Sequence, residues 1–320
     1  MRAIRVGDVN AHPEITEIQK LDPQANEIGV EVRACGLNFA DLLMIRGRYQ
    51  EKPALPFTPG LEVAGVVTSV GSGVTGFATG DRVAVYAGQG GLAEHGCFDA
   101  ARATHIPDAM PFDHAAAFPV AYGTSHIALN HCARLQPGET LLVTGAAGGV
   151  GLTAVEMGKL MGARVIAQAR SADKLAVTKA AGADKLIEGS ETLREAVKAL
   201  GGADVVYDTI GGDVFTAAFR ATNPGGRVLP IGFAGGEVPQ IPANHLLVKN
   251  LTVIGFYIGG YLKHFPQVIT DSMAQLFDWY TQGKLSPHIG QTLPLAEYDQ
   301  GLELLRSRQA TGKVIIRPQD

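Results

Sequence analysis

Cysteine is scarce in this chain. Cys35, Cys97 and Cys132 are the only three in 320 residues. They lie too far apart for a disulfide framework, so a reducing cytoplasm is the expected compartment. Long apolar runs are also missing. No stretch reaches the roughly 20 residues of a membrane span without charges or several glycines. The segment Met1 to Asn10 carries Arg2, Arg5 and Asp8 rather than the apolar core of a signal peptide. There is no long basic run, and the formal net charge is −4, so neither nucleic acid nor an anionic membrane is expected as partner. Internal repeats and low-complexity tracts are absent too. What the chain has in quantity is glycine: 40, beside 17 prolines. That number implies many tight turns, or backbone that must approach a ligand closely.

The apolar pattern changes character part-way along. From Ala3 to about Pro119, short apolar runs such as Ile28 to Val32, Val63 to Val70 and Arg82 to Tyr86 are cut by Gly-rich turns. This predicts a β-rich domain of partly open barrel form. After Tyr122, strands predicted at Thr140 to Thr144, Arg164 to Ala169, Lys185 to Glu188, Asp204 to Asp208, Arg227 to Ile231 and Leu251 to Ile254 alternate with helical segments. One helix starts near Gly149; others are capped by Ser171 and Ser190. The alternation predicts an α/β domain with a parallel, doubly wound sheet. A helix near Asp299 to Ser307 and a strand at Lys313 to Arg317 return to the first domain. The expected division is 1–121 with 261–320, and 122–260.

The first strand of the second domain runs into Gly145-Ala146-Ala147-Gly148-Gly149-Val150-Gly151, and a helix follows. Gly148 and Gly151 occupy the second and third glycine places of the dinucleotide fingerprint; Ala146 stands in the first. The second glycine lets pyrophosphate approach the backbone, the third lets helix and strand pack, and the helix start offers free N–H groups. Ala147 to Gly151 are thus cofactor-binding candidates. The second strand ends Gln168-Ala169-Arg170-Ser171, with Lys174 a turn later and no carboxylate to hold a ribose 2′-hydroxyl. Arg170, Ser171 and Lys174 suit a 2′-phosphate instead, so NADPH is expected over NADH.

Several strings resemble one family. Asn38-Phe39-Ala40-Asp41, Arg46-Gly47-Arg48-Tyr49, Leu55 to Glu62, Gly80-Asp81-Arg82-Val83, Gly145 to Gly151, Gly232 to Gly236 and Leu246 to Asn250 are similar to the quinone oxidoreductases. These are zeta-crystallin-like, zinc-free members of the medium-chain dehydrogenase/reductase superfamily. The resemblance spans nearly the whole chain and is strongest to the quinone oxidoreductase-like proteins. It implies a GroES-like catalytic domain, a Rossmann domain, and a homodimer paired through strands near Leu251 to Phe256. It also implies catalytic places for Asn38, Asp41 and Tyr49. Thr124, Gly232, Phe233, Phe256, Tyr257 and Lys313 are further cofactor-contact candidates by position, Lys313 at the phosphates. Some relatives have tyrosine where Leu43 stands here.

Zinc-dependent members hold the metal with Cys, His and Cys. Here Leu61 replaces the histidine of the usual Gly-His-Glu string, Asn38 stands at the first cysteine, and Ala115-Ala116-Ala117 offers no third ligand. The four-cysteine structural lobe is missing, and pairs such as His95 with Cys97 or His126 with His131 are too few. No metal is expected. Hydride addition to a plain ketone leaves an alkoxide, which calls for a metal or a strong acid. Hydride addition to a quinone leaves a phenolate-like oxygen with a conjugate acid of pKa about 10. The expected substrate is therefore a small conjugated acceptor, a quinone first. An alkenal, enone or enoyl double bond is the alternative. An NADPH-binding structural or RNA-binding role, as in crystallin-like relatives, is the third reading.

Overall fold

The computed structural model describes residues 1–320. It divides into two compact units, Met1–Val120 with Met273–Asp320, and Ala121–Ser272. The sequence expectation placed 261–272 in the first unit. They go with the second because the Ser272 hydroxyl bonds His126 Nδ1 at 2.7 Å and the Tyr261 hydroxyl meets Cys132 Sγ at 3.2 Å.

The first unit is built on β1 (Arg2–Arg5), β2 (Glu14–Glu17), β3 (Glu27–Leu37), β4 (Glu62–Val70), β5 (Arg82–Tyr86), β6 (His95–Asp99) and β7 (Ala103–His105), with two more strands from the chain's end. β1 and β2 form a separate antiparallel hairpin. β3 is the longest strand, with Ile28, Val30, Val32, Ala34 and Cys35 fully buried, and it organises the sheet. It pairs antiparallel with β4 and with β6.

The second unit holds β8 (Thr140–Thr144), β9 (Arg164–Ala169), β10 (Lys185–Glu188), β11 (Ala203–Asp208), β12 (Thr222–Pro230) and β13 (Thr252–Val253). All neighbours are parallel, in the order β10-β9-β8-β11-β12-β13. This is the Rossmann order, in which the chain winds outward from β8 to one edge and then returns from β11 to the other. The switch point lies beyond the carboxyl ends of β8 and β11, where such sheets bind ligands. Leu142, Ile166, Val206 and Val228 from four strands pack with Leu193, Val197, Phe215 and Phe219 from the helices Leu193–Ala199 and Gly212–Ala221. Each such fully buried side chain contributes about 1.5–3 kcal/mol.

The first sheet is completed by β14 (Ile289–Pro294) and β15 (Lys313–Arg317), giving the order β14-β15-β3-β4-β5-β7 with β6 branching from β3. The helix Tyr298–Arg306 precedes β15, matching the expected C-terminal helix and strand. Two local expectations change. Thr192, not Ser190, caps the helix Leu193–Ala199, because the Ser190 carbonyl is used by the Leu193 amide one turn before the helix is regular. The stretch after β13 forms the helices Ile258–His264 and Pro266–Thr281, which the sequence pattern did not separate.

Candidate active site

At the switch point, β8 ends in a turn held from three sides. Gly145 has φ +61°, a conformation that favours glycine, and a Cβ there would collide with the Thr209 hydroxyl. Its N–H donates to Gln168 Oε1 at 3.0 Å, while Gln168 Nε2 donates to the Gly189 carbonyl at 2.8 Å. One buried glutamine at the end of β9 thereby ties the ends of three strands together. On the other side Thr144 donates its hydroxyl to Asp208 Oδ1 at 2.5 Å, and Asp208 Oδ2 accepts the Gly211 N–H at 2.8 Å. Burial pushes the Asp208 carboxyl above its ordinary pKa, against these hydrogen bonds.

The helix Gly149–Leu160 then starts without a side-chain cap, its N-cap being Gly148. A Cβ on Gly151 would run into the Gly145 carbonyl, so this glycine is needed for helix–strand packing. Gly148 differs. A Cβ there meets nothing nearer than the Gly145 oxygen at 3.5 Å. The protein's own packing does not require glycine at 148, yet the space above it opens onto uncapped helix-start amides. That combination fits a diphosphate resting on the backbone of Ala147 to Gly151.

Past β9, Arg170 is exposed, and Ser171 and Lys174 are half-buried at the start of the helix Ala172–Ala180. Burial lowers the Lys174 ammonium pKa, and the Arg170 charge lowers it further. Two cations close enough to oppose each other form a site that a phosphate dianion would relieve. On the far side of the turn the loop Ile231–Gly236 folds over the end of β11, with Gly232 N–H on the Asp208 carbonyl at 3.3 Å and Ala234 N–H on the Thr209 carbonyl at 3.1 Å. Phe233, on this loop, is 37% exposed. Thr124 is buried beside Ser125, whose hydroxyl meets those of Thr153 and Tyr207 at 2.7 and 3.0 Å. Phe256 packs on Tyr261, and Tyr257 caps the helix Ile258–His264.

In the first unit the helix Phe39–Ile45 starts at Asn38. Asp41, fully buried, accepts the Asn38 N–H at 2.8 Å and the Gly60 N–H at 3.0 Å. It thereby pins the helix start to the turn before β4. Asn38 is itself locked. Its Nδ2 donates to the Gly36 carbonyl at 3.1 Å and to Glu62 Oε1 at 2.9 Å, and its Oδ1 accepts from Lys313 Nζ at 2.9 Å. A flipped amide would set its NH2 against the ammonium, so the orientation is fixed. The two amide protons are thus spent inward, so the Asn38 side chain has only its oxygen, already held by Lys313, with which to meet a ligand. An oxygen that only accepts suits a ribose hydroxyl and not an acceptor carbonyl.

Lys313 corrects an expectation. Placed by sequence at the cofactor phosphates, it is 3% exposed and donates to the Leu37 carbonyl at 2.9 Å, to Asn38 and to Glu62 Oε1 at 2.5 Å. All three ammonium protons are used inside the first unit. Glu62, fully buried, also accepts the Val120 N–H on Oε2 at 2.7 Å. Tyr49 lies half-buried in the turn after the helix Phe39–Ile45, close enough to Tyr86 to act on it electrostatically.

Burial raises the Asp41 pKa to about 7, the hydrogen bonds from Asn38 and Gly60 and the charge of Lys313 opposing that shift. The folded protein therefore holds this proton more tightly than the unfolded chain. The stability it adds is complete below about pH 4 and lost as pH rises through about 7, with a slope of at most about 1.4 kcal/mol per pH unit. Urea melts from pH 5 to pH 8 are expected to show a falling midpoint, and Asp41→Asn to flatten that slope while lowering stability. A parent profile without this slope would contradict the assignment.

Comparison with known proteins places a domain match in each unit. Residues 24–108 match the alcohol dehydrogenase GroES-like domain, and 149–275 match the zinc-binding dehydrogenase domain. The chain is 42% identical over 298 residues to the quinone oxidoreductase-like protein 2 homolog of Nematostella vectensis, covering 91% of this chain and 81% of that protein. The chain belongs to the quinone oxidoreductase branch of the medium-chain dehydrogenase/reductase superfamily. The quinone oxidoreductase of Thermus thermophilus, solved also with NADPH, superposes with a TM-score of 0.87 at 32% identity over 99% of this chain and all of its own. The CurK enoyl reductase does so with a TM-score of 0.87 at 26% identity, covering 99% and 98%.

Within this superfamily the zinc question turns on residue chemistry. Leu61 is buried and has no donor atom, and Asn38 has an ammonium on its only open oxygen, a poor neighbour for a divalent cation. His95 Nε2 is paired with the Thr68 hydroxyl at 2.7 Å and His126 Nδ1 with Ser272. Burial lowers both imidazole pKa values to about 4. No three His, Cys, Asp or Glu side chains are grouped as metal ligands would be. The residues that organise the first-unit site but escaped the sequence reading are Glu62 and, in the second unit, Gln168. Each acts through partners far away in sequence, so no local spacing marks it.

Proposed function

We propose that this protein is an NADPH-dependent, zinc-independent reductase of small conjugated acceptors, with quinones as the first substrate class. The observation that carries this reading is the turn at Gly148, open above uncapped amides, with the Arg170–Lys174 pair one strand away. NADPH supplies a hydride. Ala147 to Gly151 hold the diphosphate, Arg170, Ser171 and Lys174 hold the 2′-phosphate, and Gly232, Phe233, Phe256, Tyr257 and Thr124 serve the nicotinamide end. Asn38 accepts a ribose hydroxyl, Asp41 fixes the Asn38 backbone, and Tyr49 faces the acceptor ring. Lys313 and Glu62 set the Asn38 amide, and the ammonium beside it disfavours a divalent cation, which supports the zinc-independent reading. A delocalised product anion needs no metal, which favours quinones and enones over plain ketones.

NADPH-oxidation assays across 1,2- and 1,4-quinones, 2-alkenals and enoyl thioesters test this. Fastest turnover with a quinone is expected. Preference for an enoyl thioester would favour the second reading, which the likeness to an enoyl reductase supports. NADPH binding without turnover of any acceptor would return the structural role. Arg170→Ala with Lys174→Ala is expected to weaken NADPH binding 10- to 100-fold and leave NADH within about threefold, since two charge-assisted bonds to phosphate are lost. Equal loss for both cofactors would remove the 2′-phosphate assignment.

A homodimer is part of this proposal. β13, two residues long, leaves the edge of its sheet unpaired, and Leu247 and Val248 on the adjoining helix Ala243–Lys249 are 78% and 76% exposed. No helix is long and apolar enough to cross a membrane, and the three cysteines are free thiols.

A further inference from the structure

We propose that the hydroxyl of Tyr86 binds the carbonyl oxygen of the conjugated acceptor and holds the negative charge that hydride arrival leaves there. This rests on the reductase reading above. Tyr86 closes β5. Its partner across the ladder is Glu62, and the partner of Glu62 on β3 is Gly36. Directly opposed residues of antiparallel strands send their side chains to the same face. The Tyr86 ring therefore rises from the face that carries the Glu62 carboxylate, and with it Asn38 and Lys313. Gly36 ends the row with no side chain, because a Cβ there would collide with the Ala116 carbonyl.

Tyr86 is 3% exposed, and its hydroxyl has no hydrogen-bond partner in the chain. A buried, unpartnered O–H costs stability that phenylalanine would not. It shares its face with Glu62, Asn38 and Lys313, where the reductase reading puts the acceptor, and an acceptor oxygen there needs a donor. The neighbouring protons are committed: those of the Asn38 amide to Gly36 and Glu62, those of Lys313 to Leu37, Asn38 and Glu62. The ionisable groups that act on Tyr86 are Tyr49, Glu51, Glu62 and Arg102. Burial holds its phenol proton well beyond the ordinary range, and the acids among these neighbours add to that.

Tyr86 therefore donates a hydrogen bond and keeps its proton. Hydride adds to the quinone with its electron pair, and the extra pair settles on the acceptor oxygen as a quinol monoanion. That oxygen stays hydrogen-bonded to Tyr86, and a proton from water completes the quinol. The oxidised dinucleotide is the other product, so electrons and protons balance without ionising the tyrosine. An acceptor lacking a conjugated oxygen loses this bond, which makes Tyr86 a specificity determinant as well.

The test compares the full-length parent with Tyr86→Phe, using the quinone or enal that the parent reduces fastest. It also measures NADPH affinity by fluorescence titration and the thermal midpoint. The expected result is a 10- to 100-fold fall in kcat/KM, NADPH affinity within twofold, and a midpoint unchanged or raised. A fall of less than threefold with NADPH bound normally overturns this inference alone. A lowered midpoint also overturns it, since the hydroxyl would then be structural. A parent that fails to bind NADPH removes the reductase reading, and this inference with it.

Discussion

Lys313→Met is expected to destabilise the protein by about 3–5 kcal/mol, because it strands the Glu62 carboxylate in a fully buried site. The two charges lie 2.5 Å apart, with side chains 4% and 0% exposed. Taking both out of water is costly, and their attraction and hydrogen bonds offset that cost only as a pair. Removing the cation alone leaves the cost without the offset. A second change separates this account from loss of packing. Glu62→Gln in the Lys313→Met background removes the stranded charge, and Asn38, released from the ammonium, can turn its Oδ1 toward the new amide. Chemical denaturation should show the double variant more stable than Lys313→Met alone. A single variant within 1 kcal/mol of the parent, or a double variant worse than the single, would contradict the account.

Two glycines three residues apart are expected to fail in opposite ways. Gly148 has φ −76°, open to any residue, and its Cβ position is clear of all but one oxygen at 3.5 Å. Gly148→Val should leave the thermal midpoint nearly unchanged, while weakening NADPH at least 100-fold, about 2.7 kcal/mol, by filling the space above the helix-start amides. Gly151→Ala should instead destabilise the fold by about 1–3 kcal/mol, since its Cβ meets the Gly145 carbonyl and, at 2.9 Å, Ala146 Cα, which are backbone and cannot turn aside. Titration and melting of both variants check this. Loss of stability at 148 with affinity intact would mean that the glycine there serves the fold and not a ligand.

The second unit was legible because its signals are local. Thr140–Thr144, Arg164–Ala169 and Lys185–Glu188 are short apolar runs between turn residues, and the glycine string falls where a strand must give way to a helix. β12 proved longer than the expected Arg227 to Ile231, starting at Thr222, and its pairing with β11 passes from Thr222 to Arg227 through an irregularity that holds Gly225 and Gly226.

The first-unit site was less legible. Asn38 and Asp41 were found together because both lie in one short string that carries the family resemblance. Glu62 and Lys313 are 251 residues apart, and their bond depends on the return of β15 to pair with β3. Nothing near Lys313 announces that, and by position in the chain it reads as a phosphate contact. Tyr86 was hidden for the opposite reason: at the end of an apolar strand it reads as core, which its ring is, and only the unpartnered hydroxyl sets it apart.

The central claim is that the helix start after Gly148 receives the diphosphate and that Arg170 and Lys174 receive a 2′-phosphate. Calorimetric titration of one preparation with NADPH and then NADH tests it most directly. The account predicts saturable NADPH binding at least tenfold tighter than NADH, about 1.4 kcal/mol. No heat with either dinucleotide, or tighter binding of NADH, would contradict it.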